Sequence, residues 1–196
     1  YISSVNEPFV NFFPDKEKAI NDERMKDITI KDLLSMETGI RSRDAARYGW
    51  VGNFEMQHTD DWVSFVLGLP IDVPGGERFD YSNMSTFLLS AIIQEATGMD
   101  TLDFARENLF EPLGINDIRW EWSPKGYAVG FARMWLKPED MGKLGSLYLH
   151  HGLWDGKQIV SESWVIESIT PQAYPKNYVK ILDEFGEVDT ELTTIN

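Results

Sequence analysis

The chain has no cysteine, few histidines and little positive charge, and each shortage removes a class of chemistry. With no cysteine among 196 residues, it has no disulfide, no thiolate metal site and no cysteine nucleophile. The three histidines, His58, His150 and His151, are not spaced to set two ligands on one helix face, so no metal site is expected. Lys and Arg number 18 against 32 Asp and Glu, a formal net charge of −14. No basic stripe relieves that balance, so a nucleic-acid backbone or an anionic membrane surface would be repelled. A long apolar run is missing too. The most hydrophobic stretch, 62–71, is too short to span a bilayer. Neither an initiator Met nor a signal-peptide pattern stands at Tyr1, which fits a processed or excised chain.

What is present is ordinary for a globular protein: 42% hydrophobic and 26% charged residues, in a length that suits one domain or a large piece of one. Residues 1–27 read as an extended, turn-rich lead-in. Thr29 and Asp32 have the spacing of a capping box, opening a short helix through Leu33, Leu34 and Met36 that stops at Gly39. Residues 40–58 are polar, Gly-punctuated and aromatic, which predicts a surface loop or lid. Thr59 is the expected cap of a helix from Asp60 to Leu67.

The strongest helix runs from about Asn83 to Thr97. Met84, Phe87, Leu88, Ala91 and Ile92 follow the 3.6-residue period, and Leu89 and Ile93 widen the stripe enough to require burial. Gly98 is its natural stop. Asp100 caps a further helix over 101–110. Residues 115–136 are strand-like and aromatic. Pro138 begins a helix in which Gly142 and Gly145 predict a closely packed neighbour. Asp155-Gly156 marks a hairpin and Ser161 a last helix. After Thr170-Pro171 the pattern fades, leaving 171–196 as an acidic tail or connection. The fold class that follows is mainly α, with a few short β-hairpins.

Tyr81-Ser82-Asn83 is the most informative triplet. It places a phenol and a carboxamide two residues apart at the start of the buried helix, behind the turn Pro74-Gly75-Gly76. A rigid, partly desolvated helix start suits a Tyr oxygen that carries a proton and an Asn amide that clamps a substrate. Ordinary roles compete: Asn83 as the helix N-cap, Tyr81 as a core residue with a satisfied hydroxyl. Glu77 and Asp80 are candidates for tuning the site electrostatically. Tyr48, Trp50 and Phe54, or Trp120, Trp122 and Tyr127, are candidates for a cleft wall, with core packing as the alternative.

The order of the blocks resembles class C-type serine β-lactamases and the related penicillin-binding proteins and esterases. Ile28 to Leu34 with Thr38-Gly39-Ile40 is similar to that family's IT-x-x-x-LL…TSGL stretch. Pro74-Gly75, Phe79, Tyr81-Ser82-Asn83 and Thr97-Gly98 are similar to its PG-x-x-F-x-YSN segment and following helix. Phe110-Glu111-Pro112-Leu113-Gly114-Ile115 resembles F-x-PLGM, and segments from Pro138 and from Gly156 to Val165 continue the series.

The resemblance implies a serine hydrolase acting on an amide, β-lactam or ester through an acyl-serine. Tyr81 is implied as the proton-relay residue and Asn83 as the substrate-binding amide, with no metal and no organic cofactor. A small-molecule or peptide-like acyl substrate, and a secreted or cell-envelope bacterial setting, follow from the same likeness. No serine has a lysine three residues on, so the Ser-x-x-Lys nucleophile motif is expected before Tyr1. The Lys-Thr-Gly or His-x-Gly strand is expected after Asn196. Lys143-Leu144-Gly145 and His150-His151-Gly152 match that strand motif only literally, since neither falls in a predicted strand.

Residues 1–170 would then be the helical region of the larger fold, with the central sheet largely absent. The chain would be inactive alone, its partners being the missing N- and C-terminal parts. The alternative is a non-catalytic ligand-binding or sensor protein on the same fold. An excised helical unit without a separate role is a third.

Overall fold

A stripe of apolar side chains too wide for one exposed face needs cover on several sides, and that need organises the molecule around one helix. The computed structural model describes residues 1–44 and 49–173. Among them are seven α-helices: α1 (Ile30–Leu34), α2 (Val51–Gln57), α3 (Trp62–Leu67), α4 (Asn83–Thr97), α5 (Thr101–Ala105), α6 (Pro138–Leu149) and α7 (Glu162–Ile169). Two antiparallel pairs complete them, β1 (Arg119–Trp120) with β2 (Met134–Trp135) and β3 (Leu153–Trp154) with β4 (Lys157–Gln158). The mainly helical class is as expected. Tyr48 and residues 174–196 lie outside the described residues.

Local signals hold where the partners are local. Thr29 Oγ1 accepts from Asp32 N–H at 3.2 Å while the Asp32 carboxylate accepts from Thr29 N–H at 2.8 Å, closing the capping box of α1. Gly98 ends α4 at φ +69°, Pro138 starts α6, and Ser161 caps α7. Asp155 and Gly156 both take positive φ in the β3–β4 turn, as a two-residue hairpin with right-handed strand twist demands.

Several expectations need correction. Residues 1–27 are not extended but form 3₁₀ turns at Phe9–Phe12, Pro14–Ala19 and Glu23–Asp27, which turn Phe9, Phe13 and Met25 into the core. Within 40–58 lies α2, with Gly52, Asn53 and Met56 buried. A Cβ on Gly52 would sit 1.6 Å from the Ser42 carbonyl oxygen, so the glycine marks close packing rather than a loop. The cap of α3 is Asp61, which accepts from Ser64 N–H at 3.1 Å, whereas the Thr59 hydroxyl turns back to Met56 O. Gly142 and Gly145 have no close neighbour: a Cβ on either would meet nothing within 4 Å.

The aromatic stretch 115–136 carries less strand than its composition predicts. Beyond β1 and β2 it has a bridge between Trp122 and Ala128. The rest is held by backbone bonds such as Val129 N–H to Glu121 O at 2.9 Å, and by side chains. Ser90 Oγ donates to Ala128 O at 2.9 Å and Trp120 Nε1 to Val129 O at 2.7 Å. Gly130 lies so close to α4 that a Cβ would stand 2.2 Å from Thr86 O.

The main core gathers α1–α4 and the 3₁₀ turns, with Phe9, Leu33, Val63, Phe87 and Leu88 at its centre. Trp62 meets Phe87 edge-on at 5.2 Å. A smaller cluster joins Leu102, Phe110, Leu113, Ile115, Ile118 and Leu147. Each fully buried side chain of this size contributes roughly 1.5–3 kcal/mol relative to exposure. The main core therefore fixes the first turn of α4.

Candidate active site

An extended Ser82 (φ −145°, ψ 118°) delivers the chain into α4, whose first residue is Asn83. The first turn of a helix has N–H groups without internal partners. Ser82 makes no side-chain cap bond here, and the partner comes instead from 40 residues upstream. The Asp44 carboxylate, 0% exposed, accepts from Met84 N–H at 3.1 Å and from Asn83 Nδ2 at 3.3 Å. Asn83 is thus not the N-cap; it is the first residue of α4, and its side chain bonds to Asp44.

Tyr81, 42% exposed, donates its hydroxyl to Asn83 Oδ1 at 3.1 Å. One amide therefore links a surface phenol to a buried carboxylate. Trp50 packs edge-on against Tyr81, ring centroids 5.6 Å apart at 80°. Trp50 holds a left-handed φ of +61°, a conformation that costs a bulky residue energy and that cannot be read from the sequence.

Burial pushes the Asp44 carboxyl up to about 6, against the opposing effect of hydrogen bonds from Met84, Asn83 and Ser82. The positive end of the α4 dipole also favours its charged form. Asp44 is the residue that sequence reasoning missed. It lies in a stretch with no periodicity, and a serine before α4 reads in sequence as a cap, so nothing there points to a remote acceptor.

Of the other candidates, Ser82 is buried. Asp80 lies 3.9 Å from Arg78, which also reaches Asp72 at 3.5 Å, and Glu77 is exposed. Phe54 is exposed and makes no ring contact with Tyr81. Tyr127 is no cleft wall: it is buried against Phe87 and donates to Glu95 at 2.6 Å, and burial and that carboxylate raise its pKa. Trp120 and Trp122 line a separate open groove of about 760 Å³, with Trp135 and Arg106. Among the described residues, Trp50 alone of these aromatics is brought to Tyr81.

Lys143-Leu144-Gly145 lies inside α6, and His150-His151-Gly152 in the turn after it. Neither is on a strand. Among the described residues no group of three His, Asp or Glu could hold a metal ion, and no helix is long and apolar enough to cross a membrane.

The geometry can be set beside known proteins. Residues 4–176 match the family model described as Beta-lactamase. Protein flp of Staphylococcus aureus (strain MW2) is 30% identical over 107 residues, 53% of this chain and 21% of that protein. Penicillin-binding protein 4* of Bacillus subtilis (strain 168) is 29% identical over 94 residues, 47% of this chain and 21% of its own length. The chain thus spans about a fifth of the length of these curated relatives. A D-stereospecific amidohydrolase from Streptomyces sp. shares the fold with a TM-score of 0.63 at 15% identity, covering 88% of this chain and 59% of that one.

Proposed function

Since the chain belongs to the β-lactamase family, we propose that it is the helical part of a serine hydrolase and supplies the Tyr-x-Asn pair of an acyl-transfer site. The observation that carries this reading is the Tyr81–Asn83 hydrogen bond at the mouth of a buried, remotely capped helix. Preorganised donors and acceptors on a rigid element are what acyl transfer requires.

In this reading a serine outside the 196 residues attacks the carbonyl carbon of an amide, β-lactam or ester. Its proton passes through a lysine and the Tyr81 oxygen to the leaving group as the carbonyl–heteroatom bond breaks. Water then hydrolyses the acyl-serine. Asn83 has two amide hydrogens: one is on Asp44, and the other is the donor to the substrate carbonyl. The amide class of substrate is supported by relatives named as a penicillin-binding protein and an amidohydrolase.

Residues 1–170 form the helical region in this proposal, and 171–196 lead on towards a sheet contributed by other parts of the same fold. Met141, Tyr148 and Leu149 on α6 and Ile166 and Ile169 on α7 are exposed, which supports a body with faces still to be covered. The chain alone would then not turn over substrate.

Two measurements together test this. Intact mass of the chain after incubation with a penicillin and an activated ester should be unchanged; a stoichiometric adduct on one of its serines overturns the incomplete-site reading. In the parent protein Y81F should lower kcat by about 10²–10⁴-fold, the usual worth of a positioned proton carrier. Full turnover by Y81F overturns the role of Tyr81.

A further inference from the structure

We propose that Asp44 is a positioning residue of the Tyr81–Asn83 pair: its buried carboxylate decides which way the Asn83 amide faces, and so whether Tyr81 donates to that amide or accepts from it. This rests on the acyl-transfer reading only for its consequence in catalysis. The geometry stands without it.

A carboxamide offers an oxygen acceptor on one side and an NH₂ donor on the other, and the two ends are nearly the same shape. Neighbours must choose between them. An ionised carboxylate only accepts, so the Asn83 end that meets Asp44 must be Nδ2, at 3.3 Å. Oδ1 is then turned to Tyr81, and at 3.1 Å the phenol must donate to it. The proton of Tyr81 is committed in this state. With a neutral group in place of the carboxylate, either end of the amide can face it. Once the amide turns, Tyr81 meets NH₂ and its proton is released towards another acceptor.

The carboxylate itself has little freedom to move. Its second oxygen is held by Met84 N–H at 3.1 Å. The segment leading to it is pressed by α2: Gly52 N–H donates to Arg43 O at 3.1 Å, and the Gly52 α-carbon lies against the Ser42 carbonyl. Asp44 is therefore an acceptor held in place beside a clamped segment.

Burial places the ionisation of Asp44 near pH 6, so the choice is also one that pH can make. Among the described residues the charged groups of the neighbouring elements are few. Arg43 pairs with Glu55 of α2, and Arg78 reaches Asp72 and Asp80 beside Tyr81. Asn83 and Met84, which α4 sets against Asp44, are uncharged. His58, beyond the other end of α2, is bonded to Phe54 O.

The test follows the ¹⁵N-labelled chain from pH 4.5 to 8. The Asn83 side-chain NH₂ and the Met84 backbone N–H should shift together with one inflection near pH 6, and D44N should abolish it for both. H58Q, which removes the histidine beyond the other end of α2, should leave the inflection in place. A Met84 signal that titrates while the Asn83 NH₂ stays flat makes Asp44 a helix cap and nothing more, and overturns the proposal. So does an inflection that disappears in H58Q. If D44N does not fold, the wild-type and H58Q titrations decide alone. These signals need no substrate, so a positive result beside full turnover by Y81F in the parent would sink the acyl-transfer reading and leave this one standing.

Discussion

Helices α4 and α6 both carry apolar side chains at helical spacing, and they are covered to very different extents. On α4, Met84, Phe87, Leu88, Ala91 and Ile92 are all buried, and a carboxylate from another segment caps the first turn. On α6, Leu147 is buried, while Met141 is 61% and Leu149 76% exposed. A 3.6-residue period tells which residues share a face; it says nothing of what lies across from that face. The candidate site sits at the covered helix, where neighbours can hold a phenol and an amide in one geometry.

The comparison breaks most easily by truncation. Phe87→Ala should cost about 3–5 kcal/mol, because a large side chain leaves a cavity in a packed core. Leu149→Ala should change stability by less than about 0.5 kcal/mol, as surface changes do. Urea denaturation of both variants measures the difference, and equal losses would mean that α6 is as enclosed as α4.

The pH dependence of stability separates the capped end of α4 from the ion pairs elsewhere. Asp44 has a raised carboxyl pKa, so the folded state holds its proton where the unfolded chain has lost it. Its contribution is complete below the unfolded value near 4 and falls away as pH rises towards about 6. Asp22, Asp61 and Asp72 are shifted down, and theirs is lost in the other direction, as pH falls below about 4. For Asp22 and Asp72 the first cause is an arginine partner; for Asp61, Lys16 and Ser64 outweigh a large burial penalty. Melting curves of wild type and D44N should therefore diverge between pH 4 and 6, and parallel curves would remove Asp44 as the cause.

Glycine substitutions sharpen the contrast with smaller effects. Gly52→Ala should cost about 1–3 kcal/mol, since the added methyl meets the Ser42 carbonyl. Gly145→Ala, with open space around it, should gain about 0.5–1 kcal/mol by favouring the helix. Thermal melts of the two single variants should move in opposite directions.

How much was legible follows from the range of each interaction. The capping box at Thr29 and Asp32, the extent of α4 and the Asp155-Gly156 turn involve residues a few positions apart, and all are present in the structure. Gly52 and Gly145 look alike in sequence and differ completely in surroundings, so one was mistaken for a loop and the other for a contact. Tyr81 and Asn83 could be picked out, and their mutual hydrogen bond fits a spacing of two residues. Asp44 could not.

The sequence by itself determined the family and the helical class, and it set Tyr81 and Asn83 two residues apart at a helix start, because periodicity, caps and motif order are short-range properties. Tertiary structure alone decided that Trp50 would lean on Tyr81, that Tyr127 would turn inward, and that Asp44 would close the first turn of α4. The reason is burial. It brings together groups some 40 residues apart and raises the cost of leaving any of them unpaired.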